Sequence, residues 1–184
     1  MTRPAEGWTI FLDRDGTVIR DTGYPNDPQQ VHLLPGVGEA LARLQQQGFH
    51  LILVSNQSGV NRGIITEVQA LEVHRQVLAG LTHYGVRIDA AYYCTHVPEE
   101  GCSCRKPAPG MLLRAAAELG LDLSRAFMIG DKPSDIEAGM RAGCRTILLT
   151  TTLEPGMCNP RPEATLINWS EVLPYIEMHV SATR

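Results

Sequence analysis

Short apolar runs rich in β-formers recur along this chain, and each is followed by a longer stretch whose apolar residues fall at helical spacing. The first run, Trp8 to Leu12, stops abruptly at the polar turn Asp13, Arg14, Asp15, Gly16, Thr17. Gly36 to Gln47 then puts Val37, Leu41 and Leu44 on one helical face and closes at Gly48, ahead of the strand Leu51 to Val54. Thr66 to Tyr84 repeats the helical period through Val68, Leu71, Val77, Leu78 and Leu81, and Val86 to Tyr93 reads as a third strand. Met111 to Leu119, closed by Gly120, predicts a helix; Ala126 to Ile129 a strand; Ser134 to Ala142 a helix; and Thr146 to Leu149 a last strand. Thr151 to Pro162 reads as loop and Trp169 to Met178 as a closing helix. Such alternation predicts an α/β fold, a doubly wound, mostly parallel sheet with helices on both faces and right-handed crossovers. No stretch between elements is long enough for a second unit, so residues 1–184 are expected to form a single domain.

The composition permits a full core and narrows the partners. With 43% hydrophobic residues, a formal net charge of -4 and no run of like charge, the chain has no electrostatic footprint for nucleic acid. An anionic ligand must therefore be held by local cations. Met1 to Gly7 lacks the apolar core of a signal peptide, and no apolar run approaches the ~18 residues of a spanning helix. A soluble cytoplasmic protein without membrane association is expected, and a compact chain of this size is compatible with a monomer.

In an open parallel sheet the ligand sits beyond the carboxyl ends of the strands. After the first strand stand Asp13 and Asp15. One carboxylate can attack phosphorus while a second protonates the leaving alcohol and later deprotonates water; a solvated Asp-Gly turn is the bland alternative. After the second strand, Ser55, Asn56, Gln57, Ser58 and Gly59 offer a hydroxyl and backbone amides to phosphate oxygens, or simply form a strand-end turn. Arg105 and Lys106 are either cations for the equatorial oxygens of a transferring phosphoryl group or a solvated basic pair. After the fourth strand come Asp131, Lys132 and Asp135. Asp131 is a hard ligand suited to magnesium, Lys132 a candidate for substrate phosphate, and Asp135 either steadies the loop or only starts a helix.

Taken in order, a strand with Asp-x-Asp-Gly-Thr, a strand with Ser-Asn, a downstream Lys and a strand with Gly-Asp-x-x-x-Asp resemble the haloacid dehalogenase superfamily, across Phe11 to Gly139. The resemblance implies a Rossmann-like magnesium-dependent phosphatase without a large cap domain. It makes Asp13 the nucleophile and a magnesium ligand, and Asp15 the acid and base, which also lends its main-chain carbonyl to the ion. Asp131 completes the Mg2+ site, and Ser55 and Lys106 steady the phosphoryl group.

Cys94, His96, Cys102 and Cys104 form a C-x-H-x5-C-x-C cluster, the ligand set of a closed tetrahedral zinc site that orders a loop and does no chemistry. Cys144 and Cys158 have no such company, and His32, His50, His74, His83 and His179 belong to no constellation. Within the superfamily this loop resembles that of the heptose bisphosphate phosphatases and the histidinol phosphatases. The runs Asn56 to Gly63, Cys104 to Leu112 and Gly130 to Lys132 look most like the heptose group, while the short spacing from His96 to Cys102 also suits the histidinol group. The heptose resemblance implies a small phosphorylated sugar as substrate, with Asp21, Thr22, Gly23, Tyr24, Arg62 and Arg105 around it, together with Asn56, Gln57, Ser58 and Lys132. Arg62 and Arg105 are expected to grip a second phosphate.

Overall fold

The computed structural model describes residues 7–151 and 158–181. The expectations for Met1 to Glu6, and for residues 152–157 of the Thr151 to Pro162 loop, lie outside the described residues. Six strands form one sheet: β1 (Thr9–Leu12), β2 (His50–Asn56), β3 (Ala90–Cys94), β4 (Ala126–Gly130), β5 (Arg145–Leu149) and β6 (Ala164–Leu166). Their order is β3-β2-β1-β4-β5-β6, and every neighbouring pair is parallel.

Because side chains alternate across a strand, a sheet covered on both faces needs continuous apolar runs. In β1, Ile10 and Leu12 enter one core layer and Phe11 the other; in β2, Leu51 and Leu53 oppose Ile52 and Val54 in the same way. The first layer is closed by α1 (Val37–Gln47), α2 (Glu67–Thr82) and α5 (Trp169–Ser181), the second by α3 (Gly110–Leu119) and α4 (Pro133–Ala142). No connection between the described elements forms a cap domain.

Three details depart from the sequence reading. On α2 the buried face is Val73, Val77 and Leu81, whereas Val68 and Leu71 are exposed, Leu71 at the wall of a small pocket beside Tyr93 and not in the core. The third strand starts at Ala90, and Val86 is buried in the connection before it. The edge strand β6 is additional, three residues laid beside β5.

The strand order turns between β1 and β4. β2 and β3 run off on one side and β5 and β6 on the other, which opens a crevice at the carboxyl ends of β1 and β4. The loop after β1 is tied to α5 by the Trp169 indole N–H, which donates to the Thr17 carbonyl at 2.8 Å.

Candidate active site

Asp13 follows β1 directly, and its amide donates to the Ile129 carbonyl of β4 at 2.9 Å. The ladder thus runs one residue past the strand and fixes the Asp13 backbone in the crevice. Lys106, buried at 3% exposure, arrives from the loop before α3. Its Nζ donates to Asp13 Oδ1 at 2.5 Å and to the Val54 carbonyl at 2.8 Å, and it pairs with Asp135 Oδ1 at 2.7 Å. A buried ammonium is tolerated because all three of its protons find oxygen.

Asp131 follows β4, and Asp135 sits in the first turn of α4, where it accepts from the Lys132 amide at 3.0 Å. Two glycines permit this crowding. At Gly16 φ is +86°, and a Cβ would stand 2.2 Å from Asp131 Oδ2; at Gly130 a Cβ would stand 2.3 Å from the Asp135 side chain. Asp13, Asp131 and Asp135 each present an oxygen within 4.8 Å of the others. Burial, and more weakly Asp135, push the Asp13 carboxyl up to about 7 against the pull of Lys106. Burial likewise carries Asp131 up to about 6, despite Lys132.

Asp131 Oδ1 is buried and has no hydrogen-bond partner. An unpaired acceptor inside a cluster of hard oxygens fits a divalent cation of the magnesium type. The Asp15 side chain is not in this cluster. Its oxygens accept from Arg14 Nε at 3.0 Å, Arg14 Nη2 at 2.9 Å and Gln57 Nε2 at 2.9 Å, so any contribution to an ion falls to its main chain.

Asp15 and Lys106 open onto a pocket of about 720 Å³ whose wall also carries Asp21, Gly23, Tyr24, Asn56, Ser58, Arg105 and Lys132. Lys132 Nζ donates to Asp21 Oδ2 at 2.9 Å across the mouth. Burial raises the Asp21 carboxyl, but the Gly23 amide and Lys132 outweigh it and hold the group below its ordinary value. Asn56 clamps the Lys106 backbone: its Nδ2 donates to the Lys106 carbonyl at 2.9 Å, and its Oδ1 accepts from the Lys106 amide at 3.1 Å.

The loop after β3 gathers the sulfurs of Cys94, Cys102 and Cys104 and Nδ1 of His96. Cys104 lies 3.2 Å from Cys94, 3.3 Å from Cys102 and 3.3 Å from the imidazole; Cys94 lies 3.5 Å from the imidazole and 3.6 Å from Cys102. Ligands of one tetrahedral zinc stand roughly 3.5–3.8 Å apart; these donors lie at or slightly inside that spacing, so one ion fits among them after the Cys104 sulfur moves outward by a few tenths of an ångström. None is in a disulfide. Arg105 is anchored to this loop, its Nη1 donating to the His96 carbonyl at 3.0 Å.

A family model described as HAD-hydrolase-like matches residues 103–163. The D-glycero-beta-D-manno-heptose-1,7-bisphosphate 7-phosphatase of Yersinia pestis is 42% identical over 153 residues, spanning 79% of this chain and 81% of that protein. The enzyme of the same name from Haemophilus ducreyi is 38% identical over 176 residues, spanning 91% of this chain and 97% of its own. The chain belongs to the heptose bisphosphate phosphatases of the haloacid dehalogenase superfamily. The crystal structure of D,D-heptose 1,7-bisphosphate phosphatase from B. bronchiseptica, complexed with magnesium and phosphate, matches with a TM-score of 0.82 at 30% identity. It covers 94% of this chain and 99% of that one.

For a phosphatase of this superfamily, the sequence expectations divide cleanly. The structure brings Asp13, Asp131 and Lys106 together, and it sets Asp15, Asp21, Gly23, Tyr24, Asn56, Ser58, Arg105 and Lys132 around one pocket. Ser55 is buried beside Gln57, whose Nε2 donates to the Ser55 hydroxyl at 2.9 Å. Thr22 and Arg62 are exposed and outside the pocket lining, and Gln57 is turned inward onto Asp15. Three features escaped the sequence. Ser134 and Arg141 also line the pocket, with Arg141 paired to Glu137 at 2.5 Å. Asp135 is a full member of the carboxylate cluster. His74, expected to stand alone, makes a hydrogen bond with the Tyr93 hydroxyl. Nothing in the local sequence of α2 and β3 signals that pairing.

Proposed function

We propose that this chain removes the 7-phosphate of D-glycero-β-D-manno-heptose 1,7-bisphosphate in the cytoplasm, leaving heptose 1-phosphate for the activated heptose of surface polysaccharides. The observation that carries the reading is Asp13, held at the β1–β4 crevice in contact with Lys106, beside a pocket whose wall bears Arg105 and Lys132. The names of the relatives supply the sugar and its β anomer.

In this reading an Asp13 oxygen bonds to phosphorus while the bond from phosphorus to the C7 oxygen breaks, and Asp15 gives that oxygen its proton. Asp15 then takes a proton from water, whose oxygen bonds to phosphorus as the bond to Asp13 breaks. Inorganic phosphate leaves, Asp13 is a free carboxylate again and Asp15 is again protonated, ready for the next turnover. Lys106 and Ser55 steady the transferring oxygens. Magnesium, held by Asp13, Asp131 and the Asp15 carbonyl, would supply positive charge against the phosphoryl oxygens and against the carboxylates' mutual repulsion. Zinc, held by the four loop donors, would order the segment that carries Arg105 and Lys106.

The pocket wall favours a second anion over a cation. Arg105, together with Lys132 and Arg141, which are paired to Asp21 and Glu137, outnumbers the wall's carboxylates Asp15 and Asp21, and this balance would favour a distal phosphate over the ammonium of histidinol phosphate, the alternative that the short zinc loop suggests. Arg62, exposed and off the wall, is not assigned to the second phosphate. Hydrolysis rates on the two compounds test the assignment. A preference for the heptose bisphosphate is expected, and faster release from histidinol phosphate would overturn it.

A further inference from the structure

Among the fully buried side chains Arg14 is second in size only to Trp169, and the reaction above gives it nothing to do. Burying a guanidinium is costly unless its charge and its N–H groups are matched. Arg14 forks onto Asp15, Nε to Oδ1 at 3.0 Å and Nη2 to Oδ2 at 2.9 Å, and the same Nη2 donates to Gln57 Oε1 at 3.1 Å. Gln57 Nε2 closes the ring by donating to Asp15 Oδ2 at 2.9 Å. Since the amide accepts from Arg14 and donates to Asp15, the network fixes which way it faces. The Gln57 backbone is pinned in turn, its N–H donating to the Cys94 carbonyl at 2.7 Å.

A carboxylate has about four lone-pair directions. Three are taken by Arg14 and Gln57, which leaves one for the reacting proton. Asp15 lines the large pocket, and neither Arg14 nor Gln57 does. They line a separate, mostly apolar pocket of about 190 Å³, shared with Leu71, His74 and Tyr93. Arg14 therefore reaches the chemistry only through Asp15 and Gln57, and Gln57 through Asp15 and through the Ser55 hydroxyl, to which its Nε2 donates at 2.9 Å.

We propose that Arg14 and Gln57 are positioning residues that aim the Asp15 carboxylate at the scissile oxygen. This rests on the reading of Asp15 as acid and base. Gln57, placed by its sequence position among the substrate contacts, is reassigned to this task.

The test uses Gln57→Leu, Arg14→Lys and Asp15→Asn on two substrates, the sugar phosphate and p-nitrophenyl phosphate, with circular dichroism to score folding. On the sugar phosphate, Gln57→Leu and Arg14→Lys should lose kcat on the order of 10²-fold, as misaimed catalytic groups do. KM should stay within about twofold, the mark of an interaction made in the transition state. On p-nitrophenyl phosphate, whose leaving group departs without a proton, both variants should keep a burst of about one equivalent before slow turnover. A rise in KM with unchanged kcat would make Gln57 a substrate contact and overturn the proposal. So would burst and turnover falling together, or failure of both variants to fold, since each makes the ring merely structural. Should only Arg14→Lys fail to fold, Gln57→Leu decides. Asp15→Asn turning over sugar phosphate at the parent rate would instead sink the acid-base reading itself, an outcome separate from the others.

Discussion

Asp13, Asp131 and Asp135 meet only because β1 and β4 are neighbours where the strand order turns, whereas Cys94, His96, Cys102 and Cys104 meet within one short segment, the end of β3 and the loop that follows it. The oxygen cluster is a product of the whole sheet: Lys106, which completes it, is 93 residues from Asp13 in sequence. The sulfur cluster needs only its own turn. One site is therefore charged, tightly packed and dependent on tertiary structure, while the other is a local clip whose donors an ion would draw together. Their neighbouring segments are tied together: the Gln57 amide donates to the Cys94 carbonyl, and the Arg105 side chain to the His96 carbonyl.

The sharpest way to separate them is to damage one and read the other. Asp13→Asn removes the proposed nucleophile and leaves Lys106 with Asp135 and the Val54 carbonyl. Turnover of phosphate esters should fall to the detection floor, while metal analysis still finds about one zinc per chain. Zinc lost together with activity would mean that the loop depends on the sheet site, and the contrast would be broken.

The converse change is Cys104→Ser, which takes away the sulfur with the shortest contacts in the cluster. Bound zinc should disappear, and with it the stabilisation that a saturating ligand gives, about 2.7 kcal/mol at a hundredfold excess over Kd. Thermal unfolding monitored with and without added zinc measures this. The parent should respond to zinc and the variant should not, and a variant that still binds one equivalent would reassign the loop. Activity should fall as well, because Arg105 and Lys106 follow immediately in the chain.

Acid distinguishes the clusters more gently. Burial raises Asp131 from 3.8 to about 6, so in the absence of a cation the folded chain holds this proton more tightly than the unfolded chain. That contribution to stability is present in acid and is lost as the pH rises from about 4 to about 6. Cation binding has the opposite sign, since the ion needs the ionised carboxylate. Lowering the pH from 7 to 5 should weaken magnesium binding about tenfold through this one group, with proton uptake on release. Titration calorimetry in buffers of different ionisation heat would show it. A magnesium affinity flat across this range would remove Asp131 from the ligand set.

The same contrast explains what the sequence disclosed. Strand ends were legible because β1, β2 and β4 are buried on both faces and so read as unbroken apolar runs, with the reactive residues set at their carboxyl ends. The Cys/His cluster was legible because its four donors lie within eleven residues, Cys94 to Cys104. Asp135 looked like an ordinary helix start because its neighbour Lys106 comes from another segment, and the Arg14–Gln57–Asp15 ring joins loops after different strands. Val68 and Leu71 kept helical period with the buried face, but periodicity cannot say which turns of a helix pack against the core and which face a pocket or solvent. β6 is too short for any pattern of alternation to register.

The smallest effect calibrates the others. Thr66 caps α2 far in sequence from both clusters' ligands, its Oγ1 accepting from the Gln69 amide at 3.1 Å while its own amide donates to Gln69 Oε1 at 2.8 Å. Thr66→Ala should cost about 1 kcal/mol, the usual value of an N-cap. For a chain of this length that is a fall in Tm of about 2–4 °C. Zinc content, magnesium affinity and kcat should all stay at the parent's values, because neither cluster uses the first turn of this helix. If kcat dropped with Tm, the carboxylate cluster would be responding to general loosening of the fold. The loss in Asp13→Asn would then have to be corrected for that response before it could be read as chemistry.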